Sequence, residues 1–495
     1  MVNESNQKIL DRLHDLRAKD APTHGGRLLS YVYDSGLAEL DELAAAAANM
    51  ALPVNGLDPT AFSSVPAMEK DLISFAKSMF HAKSSRGSKS IEGTITSGGT
   101  ESCMLAVKTA RDYWRSKNSA LSKSVTPRIV APRTVHAAFQ KAAHYFGLIF
   151  DAVPVSSEGV VNAADMISRL DTDVAIVVVS APSYPTAQLD PIADVAAAAK
   201  KLGISCHVDA CIGGFVLPWW GGLPPWDFRV PGVTSISADL HKFGYAPKGA
   251  SILLQKGKTR HRKQFFATTK WPGYPVVNPT MLGSRSATGL AAAWAIVQKL
   301  QHSGYADLTN KTKTATLMIL EKVKNIEGMS VLGTPAGPLL ALSADKSLPK
   351  EKQVDPHHFA DQMSALGFFV QHQPGLLQGD GTQIPHSVHL TITPVTLINI
   401  QQLLQAIEEA ATQVRGKPRA NPKVELTALK MLGLLENDAT LSVNKAGTLL
   451  RVMGMGGSGS SLPKKMAPLM RIIEELPPSV AETLLIEVLA RMSQP

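Results

Sequence analysis

Apolar positions change their spacing twice along this chain. Residues 1–95 carry a helical pattern with an alanine-rich stretch, Ala44–Ala48, broken by the turn-forming segment Leu52–Phe62. From 96 to 305 short β-branched runs alternate with mostly helical stretches: Arg128–Ala131, Phe150–Val155, Val174–Ser180, Ile204–Val208, Val233–Ser237 and Ser251–Leu254. Such alternation predicts an α/β domain with a mostly parallel sheet, since parallel strands need crossovers that lay helices on both faces. A long helix is expected at about Pro279–His302, built from small and apolar residues that suit close packing.

Residues 306–415 repeat helix and strand on a smaller scale and predict a second, smaller α/β domain. The segment RGKPRANPK, Arg415–Lys423, reads as a boundary, and 424–495 as a helical C-terminal tail. Within that tail GMGGSGSS, Gly454–Ser461, has the composition of a flexible link. It follows no strand and lacks the Lys-Ser/Thr ending of a phosphate-binding loop. No internal repeat is visible. The most apolar run, Val174–Ser180, falls well short of the roughly 18 residues a membrane span needs, so no transmembrane segment is expected.

Composition narrows the class. The chain has 495 residues, 44% hydrophobic and 18% charged, which fits a globular enzyme and excludes a disordered chain. Cys103, Cys206 and Cys211 are an odd, sparse set that argues against a disulfide framework and for a reducing, cytoplasmic setting. The polar start MVNESNQKILDRLHDLRAKD has no signal-peptide core. The formal charge of +9 peaks in KGKTRHRK, Lys256–Lys263, which reads first as a solvated loop and second as an attractor of phosphorylated substrate. No aromatics interleave it, so a nucleic-acid partner is not expected.

The candidate chemistry lies at strand ends. In SISADLHKFGYAPKG a strand closes on small polar residues and His241 and Lys242 follow. A lysine at the end of an apolar strand is costly unless its amine is used, and one use is an imine to an aldehyde cofactor. Alone, a surface lysine is the simpler reading. ISCHVDACIGGF adds Asp209 at another strand end, 33 residues earlier (242 − 209), where it would pair with the pyridine nitrogen of pyridoxal 5′-phosphate, or else cap a helix. Cys211 would then face the ring and pack. Gly98, Gly99 and Thr100 open an amphipathic helix whose free N–H groups suit a phosphate dianion, although a glycine turn before a helix is also common. His136, at another helix start, could stack on the ring and pass protons, or be an ordinary first-turn residue. No metal is implied.

Together these motifs resemble the group II pyridoxal-dependent decarboxylase family, and within it the sphingosine-1-phosphate lyase branch. The likeness runs from Leu57 to Gly304 and is carried by TSGGTES, HAAFQKAAHYFG, HVDACIGGF, WDFRVPGVTSISADLHKFGYAPKG and GSRS. It implies a fold-type I architecture with a mostly parallel seven-stranded sheet, acting as a homodimer with shared active sites. It also implies that Lys242 forms the internal aldimine, Asp209 binds the ring nitrogen, His136 stacks on the ring and His241 lies near the cofactor phosphate. Tyr245 and Lys248 would lie near the phosphate-bearing part of the substrate site. Departures fall in substrate loops: NGLDP carries Asp58 where the branch has histidine, and VVNPT has Val276 and Asn278 in place of tyrosine and serine. An anion at Asp58 would repel a substrate phosphate. No counterpart of the membrane anchor of eukaryotic lyases of this branch is seen.

The resulting expectation is a lyase acting on an amine substrate, cleaving a phosphorylated long-chain amino alcohol to an aldehyde and phosphoethanolamine. An L-amino-acid decarboxylase is the alternative, and a cofactor-binding scaffold without turnover is a third reading that intact Lys242, Asp209 and His136 oppose. The bond held perpendicular to the ring decides between the first two.

Overall fold

The computed structural model describes residues 4–82, 90–436, 439–452, 463 and 465–493. The glycine-serine stretch 454–461 lies outside them. The large lobe is built on strands β1 (Ile91–Thr96), β2 (Arg128–Pro132), β3 (Ile149–Val153), β4 (Val174–Ser180), β5 (Ser205–Asp209), β6 (Val233–Ala238) and β7 (Ser251–Lys256). They form one seven-stranded sheet in the order β1-β7-β6-β5-β4-β2-β3. Pairings β2–β3, β2–β4, β4–β5 and β5–β6 are parallel, whereas β7 runs antiparallel to both β1 and β6. β4, VAIVVVS, is buried at every position, as expected of a central strand covered on both faces. One face carries Val107, Phe139 and Ala142; the other carries Phe80, Val195 and Ile296.

β1 was not among the sequence's strand runs, because IEGTIT is short and only half apolar. Its Gly93 leaves room where a Cβ would strike Ile73 and Leu254, so the Ser64–Met79 helix closes onto the sheet edge. The basic run is also not a solvated loop. Lys258–Arg262 is a short helix in which Arg260 bonds Ser205 and covers the Tyr113 ring at 4.2 Å, and His261 bonds Thr94. Tertiary partners thus engage Arg260 and His261 of the apparent patch.

The long helix starts later and runs further than expected, Thr288–Lys324, with a non-helical break at Gln301 (φ 47°, ψ −166°). The Ser286 hydroxyl accepts from Thr288 N at 3.2 Å and fixes the start. Leu290–Leu308 packs in the large lobe and Ala315–Val323 in the small one, so this helix joins the two cores. The small lobe has an antiparallel sheet ordered Met329–Val331, Leu339–Ala344, Ser387–Thr391, Gln371–Gln373. Four helices, Lys423–Met431, Val443–Val452, Ala467–Glu475 and Pro478–Met492, form a terminal unit around Leu429, Ile472, Val480 and Leu484.

Polar side chains dock that unit on the small lobe. Buried Glu474 accepts from Gly375 N at 2.8 Å, lies 3.3 Å from His357 Nε2 and pairs with Arg419. Asp361 accepts from Met466 N and Ala467 N. His357 Nδ1 meets His372 Nδ1 at 3.2 Å, and burial pushes both imidazoles down to about 4. A neutral imidazole held below its free value of about 6.5 supports docking above that pH and loses support as the pH falls towards 4. Glu474→Ala leaves a buried N–H and Arg419 unpaired and should weaken docking by about 1–3 kcal/mol. Hydrogen exchange, corrected for intrinsic rates, should show protection lost over Ala467–Glu475 and kept over β4. Lowering the pH from about 7 to about 5 should produce the same regional loss in the unaltered protein.

Candidate active site

Strand polarity gathers the chemistry at one edge. Ser180 at the end of β4 is in register with Asp209 at the end of β5, and Asp209 with Ser237 on β6. Thr96, ending β1, faces Ser251, opening β7. The loops that follow these carboxyl ends converge on a cavity of about 680 Å³, the usual ligand position of an open α/β sheet. Gly98, Gly99, Thr100, His136, Asp209, Cys211, His241, Lys242 and Lys248, all singled out from sequence, line it.

The helix Gly99–Lys117 points its start into this cavity. Its first turn is pinned by Ser102, whose hydroxyl meets those of Thr96 at 2.7 Å and Ser251 at 2.9 Å. Glu101 ties the turn further, accepting from Ser97 and from Met281 N. The first helical N–H to find a carbonyl partner is that of Ser102, on Gly98, which leaves the N–H groups before it for a ligand. A Cβ at Gly99 would overlap the Asp239 carboxylate, so glycine is required there.

Asp209 takes both of its hydrogen bonds on Oδ1, from Cys211 N at 3.1 Å and Ser237 Oγ at 3.3 Å. Its other oxygen has none among the described residues. Lys242, whose side chain is 20% exposed, places Nζ 2.9 Å from Asp239 Oδ2. Burial alone would lower this ammonium's pKa, but Asp239, Tyr33 and Cys211 hold it well above the ordinary lysine value. His136 keeps Nδ1 on Ala138 N at 3.2 Å, and His241 lies 3.5 Å from Asp239. Lys248 Nζ donates to the His241 carbonyl at 3.0 Å and sits 4.8 Å over the Tyr33 ring. Desolvation and the neighbouring Lys242 bring it down to about 8.

Cys103 and Cys211 approach to 3.8 Å beside Asp209, a three-ligand grouping of the kind that can hold a metal ion. The contact with Cys103 and burial push Cys211 well above the ordinary thiol value.

Two expected substrate residues lie elsewhere. Tyr245 is buried behind Lys242, stacked on Tyr305 at 6.2 Å and edge-on to Phe243, because φ 59° at this residue turns the chain back into the core. Asp58 is exposed and closes its own turn, accepting from Thr60 N at 2.8 Å and Thr60 Oγ1 at 2.6 Å. Neither lines the cavity. Several lining residues were not foreseen: Asp239, Tyr31, Tyr33, Ser180, Tyr184 and Gln371. Asp239 was readable as a second strand-end carboxylate, three positions before Lys242. Tyr184 and Gln371, bonded to each other, come from different lobes, which no local pattern reveals.

The donor set fits pyridoxal phosphate: an amine, a half-satisfied carboxylate and a cradle of free N–H groups border one cavity. Comparison with known proteins agrees. Residues 30–281 match the model of the pyridoxal-dependent decarboxylase conserved domain, and 427–491 that of a pyridoxal-dependent enzyme C-terminal putative HTH domain. The chain is 35% identical over 424 residues to sphingosine-1-phosphate lyase 1 of Rattus norvegicus, covering 84% of this chain and 70% of that protein. It is 34% identical over 424 residues to sphingosine-1-phosphate lyase of Oryza sativa, covering 84% and 74%. The solved sphingosine-1-phosphate lyase of Burkholderia pseudomallei superposes with a TM-score of 0.75 at 28% identity, over 88% of this chain and 95% of that one. Glutamate decarboxylase of Lactobacillus brevis, at 20% identity and TM-score 0.72 over 83% and 94%, shares the fold. With its family model, its fold-type I architecture and its cavity in agreement, the chain belongs to the pyridoxal-dependent decarboxylase family as a pyridoxal-phosphate-dependent carbon–carbon lyase.

Proposed function

We propose that this enzyme cleaves a phosphorylated long-chain amino alcohol, of the sphingosine-1-phosphate kind, to a long-chain aldehyde and phosphoethanolamine. The observation that carries the substrate class is Lys248, a second ammonium in the cavity whose near partners are a carbonyl and an aromatic face. A cation so placed suits a substrate phosphate once Lys242 is occupied by the cofactor.

Bound pyridoxal phosphate would supply an aldehyde that captures amines and a protonated ring that draws electrons from the adjacent carbon. Lys242 would hold that aldehyde carbon covalently and release it to the incoming amine. Asp209 would keep the ring nitrogen protonated, with Ser237 and the Cys211 N–H fixing the carboxylate. The N–H groups opening the Gly99 helix, with Thr100, would hold the cofactor phosphate. His136, which lines the same cavity, would cover the ring and pass protons there. Tyr33, pushed up to about 12 by burial, stays protonated at the cavity wall.

The enzyme is further proposed to be a cytoplasmic homodimer with shared active sites. No helix among the described residues is long and apolar enough to cross a membrane, and all three cysteines are free and buried. Exposed Phe266, Trp271, Tyr274, Val277, Met281 and Leu282 cluster on and around the hairpin of Phe266–Thr268 and Val276–Asn278, an apolar surface suited to a second copy.

Incubation with a phosphorylated sphingoid base should yield aldehyde and phosphoethanolamine by mass spectrometry, and Lys242→Ala should yield neither. Carbon dioxide from an amino acid, without aldehyde, would mark a decarboxylase instead. Lys248→Met should raise KM by about 10- to 100-fold, the worth of a charged hydrogen bond. Because the Lys248 ammonium exists below its pKa, KM in the unaltered enzyme should climb as the pH rises through about 8. Trp271→Glu with Tyr274→Glu should halve the mass found by light scattering and abolish turnover.

A further inference from the structure

Asp239 is the most deeply buried charged group of the cavity, 1% exposed, just past the end of β6. Neither oxygen accepts a well-aligned hydrogen bond. Its near neighbours are Lys242 Nζ at 2.9 Å, His241 Nε2 at 3.5 Å, the Ser251 hydroxyl and the Gly99 backbone. A buried carboxylate with so little hydrogen bonding stands only if a cation stays beside it. Lys242 is that cation, yet its charge would appear to be given up when the amine condenses with an aldehyde.

We propose that Asp239 is the counter-ion of the Lys242 nitrogen in both of its chemical states, pairing with the free ammonium and then with the protonated imine. The inference rests on the cofactor reading of the cavity but not on the choice of substrate. In the condensation the ammonium nitrogen forms a double bond to the aldehyde carbon. Water leaves with the carbonyl oxygen and two of the three nitrogen protons. One proton and the positive charge remain on nitrogen, so the charge facing Asp239 is unchanged. The groups around the pair are Tyr33, Tyr184, Cys211, His241 and Lys248. Among the described residues Asp239 is the one carboxylate in contact with Nζ, and although burial opposes its charge, Lys242, His241 and Ser251 hold its carboxyl far below the usual range. Its role is to set where the imine proton is lost, and so how readily a second amine can attack.

The isosteric variant Asp239→Asn tests this without changing volume. In the cofactor-loaded enzyme, the pH at which the visible band of the protonated imine gives way to the unprotonated form should fall by about one unit or more, a tenfold change in proton affinity. An unchanged titration overturns the proposal. A wild-type protein that shows no such band with added pyridoxal phosphate removes the cofactor reading itself, so the two failures are distinct. A second arm uses the protein without cofactor. Lys242→Met strands the carboxylate and should lower the melting midpoint, and adding Asp239→Asn to it should restore the midpoint. A double variant no more stable than Lys242→Met overturns the pairing, including where Asp239→Asn alone is too unstable to titrate.

Discussion

An apolar sheet cannot end in charged groups unless each charge has a partner, and this fold answers that constraint at a single edge. β5 delivers Asp209 and β6 delivers Asp239 and Lys242, while the start of the Gly99 helix presents N–H groups to the same space. The parallel register between β4, β5 and β6 aligns these ends. Reversing β7 brings β1 and its glycine turn alongside. The cofactor-facing groups of the cavity are placed by that arrangement of strand ends, and the buried pair between Asp239 and Lys242 is its most demanding part.

Much of this was legible in the sequence because the cofactor chemistry sits where local pattern changes. Asp209 and Lys242 each follow a strand run and end it with a residue that packing alone would not select, and Gly98 to Thr100 mark a helix start with a glycine turn. Six of the seven strands were readable for the same reason. β1 was not, being an edge strand whose pairing with β7 replaces apolar content. Tyr245 shows the limit: its neighbours in sequence are cavity residues, yet a left-handed backbone turns it into the core. Asp58 fails differently, since its carboxylate is spent on its own turn. Tyr33, Tyr184 and Gln371 reach the cavity through tertiary packing, which no local spacing encodes.

The departures from the lyase pattern now have positions. Asp58 stands outside the cavity of its own chain, its carboxylate engaged by Thr60. Val276 and Asn278 lie on an exposed two-stranded hairpin, away from the cofactor-binding edge.

The bond between Tyr184 and Gln371 crosses from one lobe to the other, and both side chains are wall. The room available to a long hydrocarbon chain is thus set by the angle between two bodies rather than by either alone. A single bent shaft, the helix broken at Gln301, spans them. His372, next to Gln371, touches His357 and through it the docking carboxylate of the terminal helices. The terminal helices are thus tied, through His357 and His372, to the strand that carries Gln371 to the cavity wall.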